Sequence, residues 1–346
     1  MTLPPDLLIL DVGQGNCTLL RNTEGTIVID CPSGTTLIET IEELKIQEIS
    51  HLLISHADED HIGGISTLLR SKQVIVQNVH INSEFNRKTK AWEDLLSSLS
   101  DAKERYGLKI FAQLTTSTTD LLQTGDVEIT VLAPNSVLAL KGGAGSVDNS
   151  GNRLNSNSMS AVVAFSHNEH RVAIAAGDLD EVGLHNLLQE NTNLEADILI
   201  FPHHGGNPSR KNNGSEFTER LCNLVKPKLV IFSNGRGHYG HPFKEIVDTV
   251  IKTIPNVHIL CTQLSRSCSQ TDLTDVSDHL HSLPAKGKAT KTCCGGTLAV
   301  EINGKKTTYT PGAKIHKNFI NAKVATPLCS AILTKQASAN DIGTDS

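Results

Sequence analysis

The stretch ISHADEDHIGG, from Ile54 to Gly64, constrains the fold most: directly after the apolar run HLLI it gathers two histidines and three carboxylates. Groups of this kind either face water or face one another across cations. His56, Asp58 and Asp60 alternate, so an extended segment projects them to one side, and His61 follows where the chain turns through Ile62, Gly63 and Gly64. Four such groups on one side repel unless cations sit between them. Imidazole mixed with carboxylate suits Zn, Mn or Fe, and the carboxylate share tilts the set towards harder ions. Gly63 and Gly64 are expected to let the backbone pass close to a metal or phosphate at a helix start. The plainer alternative is an acidic helix N-terminus with incidental histidines.

Other residues obey the same rule of position. Asp178 ends RVAIAAGD, and His203 with His204 ends ADILIFPHHGG, so three apolar strands each deliver a polar group at the carboxyl end. Taken singly, each could be a helix cap or a core histidine; together they favour a two-metal cluster. The surrounding pattern is a layered one. LLILDVG, NCTLLR and TIVID read as an N-terminal meander, with the first two joined through Gly13 and Gly15. A helix is expected from about Leu37 to Lys45, then the strand HLLIS, the helix ISTLLR and the strand VIVQNV. The amphipathic helix AWEDLLSSLSDAKERYG is expected to place Trp92, Leu95, Leu96 and Leu99 on one face. VEITVLAP resumes strand character, KGGAGSVDNSGNRLNSNS reads as a surface loop, and SAVVAF, RVAIAAG, ADILIF and KLVIFS as further strands. GTLAVEI and KKTTYTP close the pattern. Two β-rich halves with helices between their strands imply a layered α/β architecture. Residues 1–311 are expected to form the main unit and 312–346 an extension, whose tail from about Lys317 reads as disordered because it ends in small polar residues.

HADEDHIGG resembles the metal-binding motif of the metallo-β-lactamase superfamily, in the variant where Asp58 stands where many members have a second histidine. LDVGQGN, NSNS, AAGD, PHHGG and NGRGHYGHP resemble, in order, blocks of the soluble hydrolase domain of bacterial ComEC-type competence (DNA-uptake) proteins. The resemblance implies an αββα four-layer sandwich with two divalent metals, Zn or Mn, at the sheet edge. It implies that His56 and Asp58 hold one metal, that Asp60, His61 and His203 hold the other with His204 as the alternative to His203, and that Asp178 bridges them. Asn157 and Ser158 stand where the superfamily has an additional histidine, as in the competence-type branch, and are assigned to substrate. His238, Tyr239 and His241 are expected to contact a substrate phosphate or, at His241, to protonate a leaving group. Asp60, Asp178 and His241 are thus the expected catalytic set.

The implied reaction is hydrolysis by a metal-activated water, foremost of a phosphodiester in DNA, RNA or a nucleotide. A formal charge of −6 argues against strong non-specific attachment to nucleic acid, and aromatics at 3% offer little base stacking. These two facts favour the alternative of a small-molecule phosphodiesterase or esterase, like the related choline-phosphate esterases; a catalytically silent regulatory module is the third reading. The basic clusters Arg87, Lys88, Lys90 and Lys286, Lys288, Lys291 are read as solvated surface. No apolar run approaches the roughly 18 residues of a membrane span, and MTLPPDLLIL has no basic leader, so a cytosolic protein without a membrane channel is expected. There its eight cysteines serve as thiols or metal ligands. Cys261, Cys268, Cys293 and Cys294, with His279 and His281 between them, are expected to supply a structural Zn in a polar loop over about 261–295, although their spacing matches no standard zinc finger. Cys17, Cys31 and Cys222 lie in apolar runs and read as core thiols.

Overall fold

The strands of this protein are apolar on both faces, and the computed structural model shows why. It describes residues 4–83, 87–142, 145–191, 193–208, 213–237, 239–275, 278–303 and 306–330. The strands are β1 (Asp6–Ile9), β2 (Thr18–Arg21), β3 (Thr26–Ile29), β4 (Glu48–Ile54), β5 (Ile75–Ile81), β6 (Lys109–Phe111) and β7 (Glu128–Ala133) in the first half. The second half adds β8 (Val162–His167), β9 (His170–Ala175), β10 (Ile198–Ile200), β11 (Leu229–Phe232), β12 (His258–Cys261), β13 (Leu298–Asn303) and β14 (Lys306–Thr310). One sheet has the order β14-β13-β1-β2-β3-β4-β5-β6 and the other β12-β11-β10-β9-β8-β7.

Alternation along each strand sends one set of side chains between the sheets and the other towards helices. Leu7, Ile9, Leu53, Phe165, Ile200 and Ile231 meet in the layer between the sheets. On the outside of the larger sheet, Leu8, Val28, Leu52 and Val79 pack on helices 36–43, 65–70 and 90–106. On the outside of the smaller sheet, Ile174, Leu199 and Phe232 pack on helices 181–190, 214–225, 244–253 and 313–323. The result is the expected αββα sandwich. Each fully buried Leu, Ile or Phe contributes about 1.5–3 kcal/mol to holding these layers together.

Both sheets begin antiparallel and continue parallel: β3 to β6 in the first, β9 to β12 in the second. A parallel run places all its carboxyl ends on one side, so the loops after β3, β4, β9, β10 and β11 emerge close together. That register, more than any single contact, assembles the site described below.

Three expectations need correction. Leu96 is 48% exposed while Trp92, Leu95 and Leu99 are buried, because a residue directly after Leu95 lies about 100° round the helix, beyond the sheet-facing stripe. The short edge strands β6 and β12 were not anticipated. The segment expected to be disordered from about Lys317 is helical over Ala313–Lys323, with His316, Phe319 and Ile320 buried at helical spacing and Val324 and Leu328 extending the contact. Residues 331–346 lie outside the described residues. Among the described residues no helix is long and apolar enough to cross a membrane.

Asp197, just before β10, ties the two sheets at the end opposite the site. Its Oδ2 accepts from His170 Nε2 at 2.8 Å and from Thr307 Oγ1 at 3.0 Å, and its Oδ1 meets Lys228 Nζ at 2.7 Å. Burial opposes ionisation here, but Lys228, His170 and Thr307 hold the carboxyl below its usual range. Replacing Asp197 by Asn is therefore expected to cost about 1–3 kcal/mol near neutral pH. Because the folded-state pKa is depressed, this contribution is present above the unfolded value of about 3.9 and is lost as pH falls through the lower folded value. Urea unfolding of both proteins across pH should show the gap narrowing below about pH 4.

Candidate metal centre

His56, Asp58, Asp60 and His61 arrive from the carboxyl end of β4, but not along one extended segment. Asp58 is the extended residue preceding a helical turn, Glu59–Ile62, that carries Asp60 and His61. Gly63 and Gly64 serve this turn rather than a ligand: a Cβ on Gly64 would stand 2.2 Å from Pro32 O, and one on Gly63 2.4 Å from Ser33 Oγ. The turn is thereby docked on the loop after β3, with Cys31 N donating to His61 O and Gly64 N to Cys31 O, both at 2.8 Å.

Asp178, from the end of β9, stands at the middle. Its Oδ1 is 3.2 Å from His61 Nε2 and 3.6 Å from His204 Nε2, and its Oδ2 is 3.8 Å from His56 Nε2. Asp60 Oδ2 lies 3.3 Å from His204 Nε2. Two triads of donor atoms result, each within 4.8 Å: His56, His61 and Asp178, and Asp60, His61 and His204. Asp58 joins the first at its edge, with Oδ2 3.5 Å from His56 Nε2 and Oδ1 held by Arg87 at 2.5 Å.

The hydrogen bonds of the other ring nitrogens orient these imidazoles. His61 Nδ1 donates to Asp30 Oδ2 and His204 Nδ1 to the Ser233 carbonyl, both at 2.7 Å, since neither acceptor has a proton to give. The Ser55 hydroxyl donates to Asp30 Oδ2 (2.7 Å), which leaves Ser55 Oγ to accept from His56 Nδ1 at 3.1 Å, and the Ser160 hydroxyl stands 3.4 Å from the same nitrogen. As neutral rings, all three therefore present a lone pair at Nε2. These Nε2 atoms and Asp178 Oδ1 are buried and have no hydrogen-bond partner. Unpaired buried acceptors aimed at one point are costly without a ligand, and a divalent cation is the ligand this donor set fits.

The charges agree. Burial opposes ionisation of Asp178, yet the nearby His61 and His204 and the hydrogen bond from His203 hold its carboxyl well below the usual range. Burial likewise disfavours a charged His61, but Asp178 and Asp30 pull its pKa well up, so a cation at Nε2 would take the place of a proton there. For Asp58, the nearby His56 imidazole and the Arg87 guanidinium overcome burial and hold the carboxyl well below its usual range.

His204, not His203, completes the second triad. Both residues and Gly205 have left-handed backbone, with φ of 53°, 57° and 80°, and this tight turn swings His204 inward while His203 remains partly exposed. His203 instead donates from Nδ1 to Asp178 Oδ2 at 2.9 Å. Ser158 turns to Asp180 Oδ2 (2.8 Å) and braces its loop, whereas Ser160 accepts from Asp178 N at 2.9 Å. Asn157 Nδ2 lies 3.4 Å from His203 Nδ1. His241 is buried with Nδ1 unpaired and stacks between His204 and the exposed Tyr239. His238 lies outside the described residues. An open cleft of about 860 Å³ begins at Asp58 and Asn157 and runs past Arg153, Asn207 and Arg220.

Sequence reasoning missed Asp30, Ser160 and Ser233. Asp30 had a readable signal, a carboxylate ending the apolar TIVI, like the other strand-end groups. Gly15 was noted only as a link: a Cβ there would meet Asp60 O at 2.2 Å, and its carbonyl accepts from Ser233 Oγ at 2.8 Å. Asn16 beside it is buried with both amide atoms unpaired. The basic clusters are not simply solvated. Besides Arg87 on Asp58, Lys288 Nζ donates to the carbonyls of His281, Ser282 and Leu283, and Lys291 Nζ to that of Thr274. Cys17, Cys31 and Cys222 are buried as expected, and burial pushes the Cys222 thiol up to about 12. Of the four cysteines expected around a structural zinc, Cys261, Cys268 and Cys294 share one cluster, while Cys293 turns its thiol to Asp11 Oδ2 at 3.5 Å. His279 Nε2 donates to Cys294 O at 2.6 Å, and His281 Nδ1 accepts from Leu283 N.

The sequence profile of the Metallo-beta-lactamase superfamily matches residues 10–134, which include Asp30 and the turn bearing Asp60 and His61. The ComE operon protein 3 of Bacillus subtilis (strain 168) is 24% identical over 266 residues, covering 69% of this chain and 30% of that protein. Residues 10–134 are thus similar to the metallo-beta-lactamase superfamily. The chain spans about 30% of the length of that curated relative. Among solved structures, the metallo-beta-lactamase fold protein YhfI from Bacillus subtilis superposes with a TM-score of 0.49 at 12% identity, covering 76% of this chain and 98% of that one. A metallo hydrolase from the archaeon Ignicoccus hospitalis gives a TM-score of 0.42 at 14% identity, covering 74% and 94%.

His204→Ala is expected to lose divalent metal while His203→Ala retains it, as read by elemental analysis after gel filtration. Asp30→Asn, which leaves the Nε2 donors in place, should weaken metal affinity about 10- to 100-fold in competition with a chromophoric chelator.

Proposed function

We propose that the protein is a hydrolase dependent on two divalent metals that cleaves phosphodiesters, foremost in nucleic acid or nucleotides. The observation that carries this reading is the pair of donor triads sharing His61, with Asp178 between them. His56, Asp58 and Asp178 would hold one cation, and Asp60, His61 and His204 the other, with Asp178 reaching both. Cations so placed lower the pKa of a bound water towards neutrality and stabilise charge on phosphoryl oxygens.

The residues of the chain supply position and charge. Two dications against Asp58, Asp60 and Asp178 leave the centre positive, which favours an anionic substrate over a neutral ester. Arg87 offsets part of Asp58 and fixes its free oxygen towards His56. Burial, then the charges of His204 and His203, push His241 down to about 4, so at neutral pH it is a neutral ring. This argues for hydrogen bonding to the substrate rather than the proton donation expected of it. Asn157 lines the cleft, and Tyr239 stands exposed on His241, where a substrate would pass. The sequence resemblance to competence-type proteins supports a nucleic-acid substrate. The charge of −6 and the scarcity of aromatics favour the second reading, a small-molecule phosphodiesterase.

Asp178→Ala should reduce hydrolysis of a bis-aryl phosphodiester by at least about a thousandfold, roughly 4 kcal/mol in barrier, with the far-UV spectrum retained. A variant keeping a tenth of the wild-type rate at saturating Mn would overturn the two-metal reading. Nicking of supercoiled plasmid by the wild type supports the nucleic-acid assignment; activity confined to the aryl substrate and small diesters supports the second.

A further inference from the structure

Far along the chain from the catalytic donors, four cysteines from separate segments are gathered in one region beside the helix Ala313–Lys323, which brings His316 to Cys294. Cys261 ends β12, Cys268 lies in the turn after it, Cys294 precedes β13, His316 comes from the helix, and Cys329 lies in the turn Leu328–Ser330. Cys294 Sγ is 3.2 Å from His316 Nε2 and is hydrogen-bonded with the Cys261 thiol. Cys268 is buried in the same apolar cluster as Cys261 and Cys294, and Cys329 packs against it half-buried. Cys261, Cys268 and Cys294 are each at most 8% exposed, and His316 is 2% exposed.

We propose that Cys261, Cys268, Cys294 and His316 hold a structural zinc ion. This assignment is independent of the hydrolytic reading. Three thiolates and an imidazole make a tetrahedral donor set that zinc prefers. The histidine is prepared as a ligand: its Nδ1 is 3.0 Å from His258 Nε2, and His258 Nδ1 is 2.8 Å from the Tyr309 hydroxyl. A ring whose second nitrogen is fixed by a partner chain of this kind presents the first in one direction. Cys293 is excluded because neighbouring residues of an extended segment point to opposite sides, and its thiol meets Asp11.

The location gives the ion a task. Among the described residues, the segment 265–292 contains only the short helix Lys286–Thr290, and a loop of this length needs something to order it. Backbone bonds already draw its ends together: Gly295 N donates to Cys261 O at 2.8 Å, Cys294 N to Thr262 O at 3.2 Å, and Thr326 N to Cys268 O at 3.2 Å. Zinc would join edge strand, loop and C-terminal helix at one point. The sets of three donors within 4.8 Å among the described residues are those of the catalytic centre. The thiol cluster is wider and must contract to the S···S spacing of about 3.8 Å that Zn–S bonds of about 2.3 Å impose. The turns bearing Cys268 and Cys329 lie near the surface, where such a shift displaces little.

The test is cobalt substitution of the full chain. Wild-type protein loaded with cobalt should show thiolate-to-cobalt charge-transfer absorption in the near ultraviolet, which the imidazole and carboxylate donors of the catalytic centre cannot produce. Cys294→Ser and His316→Ala should each lose this absorption or shift it, and should bind one zinc fewer by elemental analysis. Cys293→Ser should keep both, as its thiol faces Asp11. Absence of the absorption in the wild type overturns the site without recourse to any variant, as does a Cys261–Cys294 disulfide in protein isolated under reducing conditions. Loss in Cys329→Ser with retention in His316→Ala would overturn the ligand set proposed here.

Discussion

Everything near the centre depends on one unfavourable arrangement: ionised Asp178 is buried among imidazole nitrogens that accept nothing from the protein. Water cannot solvate these atoms, and like-natured donors do not stabilise one another. The surrounding structure must therefore hold them in place from behind. It does so by committing the other nitrogen of each ring, His61 to Asp30, His204 to Ser233 O and His56 to Ser55, so that rotation of any ring would break a buried hydrogen bond. Preorganisation of this kind suits a cation site, because the ligand enters a frame that does not need to reorganise.

The frame is inherited from the sheets. Asp30 and His56 follow adjacent parallel strands, β3 and β4, while Asp178, His204 and Ser233 follow the adjacent parallel strands β9, β10 and β11. Neither sheet alone has a complete donor set. Packing of the two through Leu53, Ile200 and Ile231 brings the sets into register, so an error in sheet packing would be felt at the metal centre before it was felt in the core. The left-handed turn at His203, His204 and Gly205 is the most strained part of this apparatus. Gly205 is required there, since a Cβ would stand 2.4 Å from Pro242.

The strand-end groups were legible because chemistry and periodicity coincide: where an apolar run stops at a carboxylate or imidazole, the strand leaves the core and delivers that group at its carboxyl end. The choice between His203 and His204 was not legible. Two adjacent identical residues differ only in direction, and direction here is set by three consecutive positive φ angles that the letters PHHG do not encode. The same holds for Cys293 and Cys294, which the sequence presents as a pair and the backbone separates to opposite sides. The C-terminal helix was hidden by its polar surroundings, since His316, Phe319 and Ile320 form a stripe too short to stand out before its cover is known.

By itself the sequence determined the layered fold, the order of its longer strands and the types of group at the centre, because alternation, strand length and residue chemistry are local properties. Tertiary structure alone decided which nitrogen faces inward, that Asp30 and Ser160 brace the donors, and that His316 joins the distant cysteines. These depend on contacts between segments far apart in the chain, and no local pattern carries the relative placement of two strands that meet only when the sheets pack.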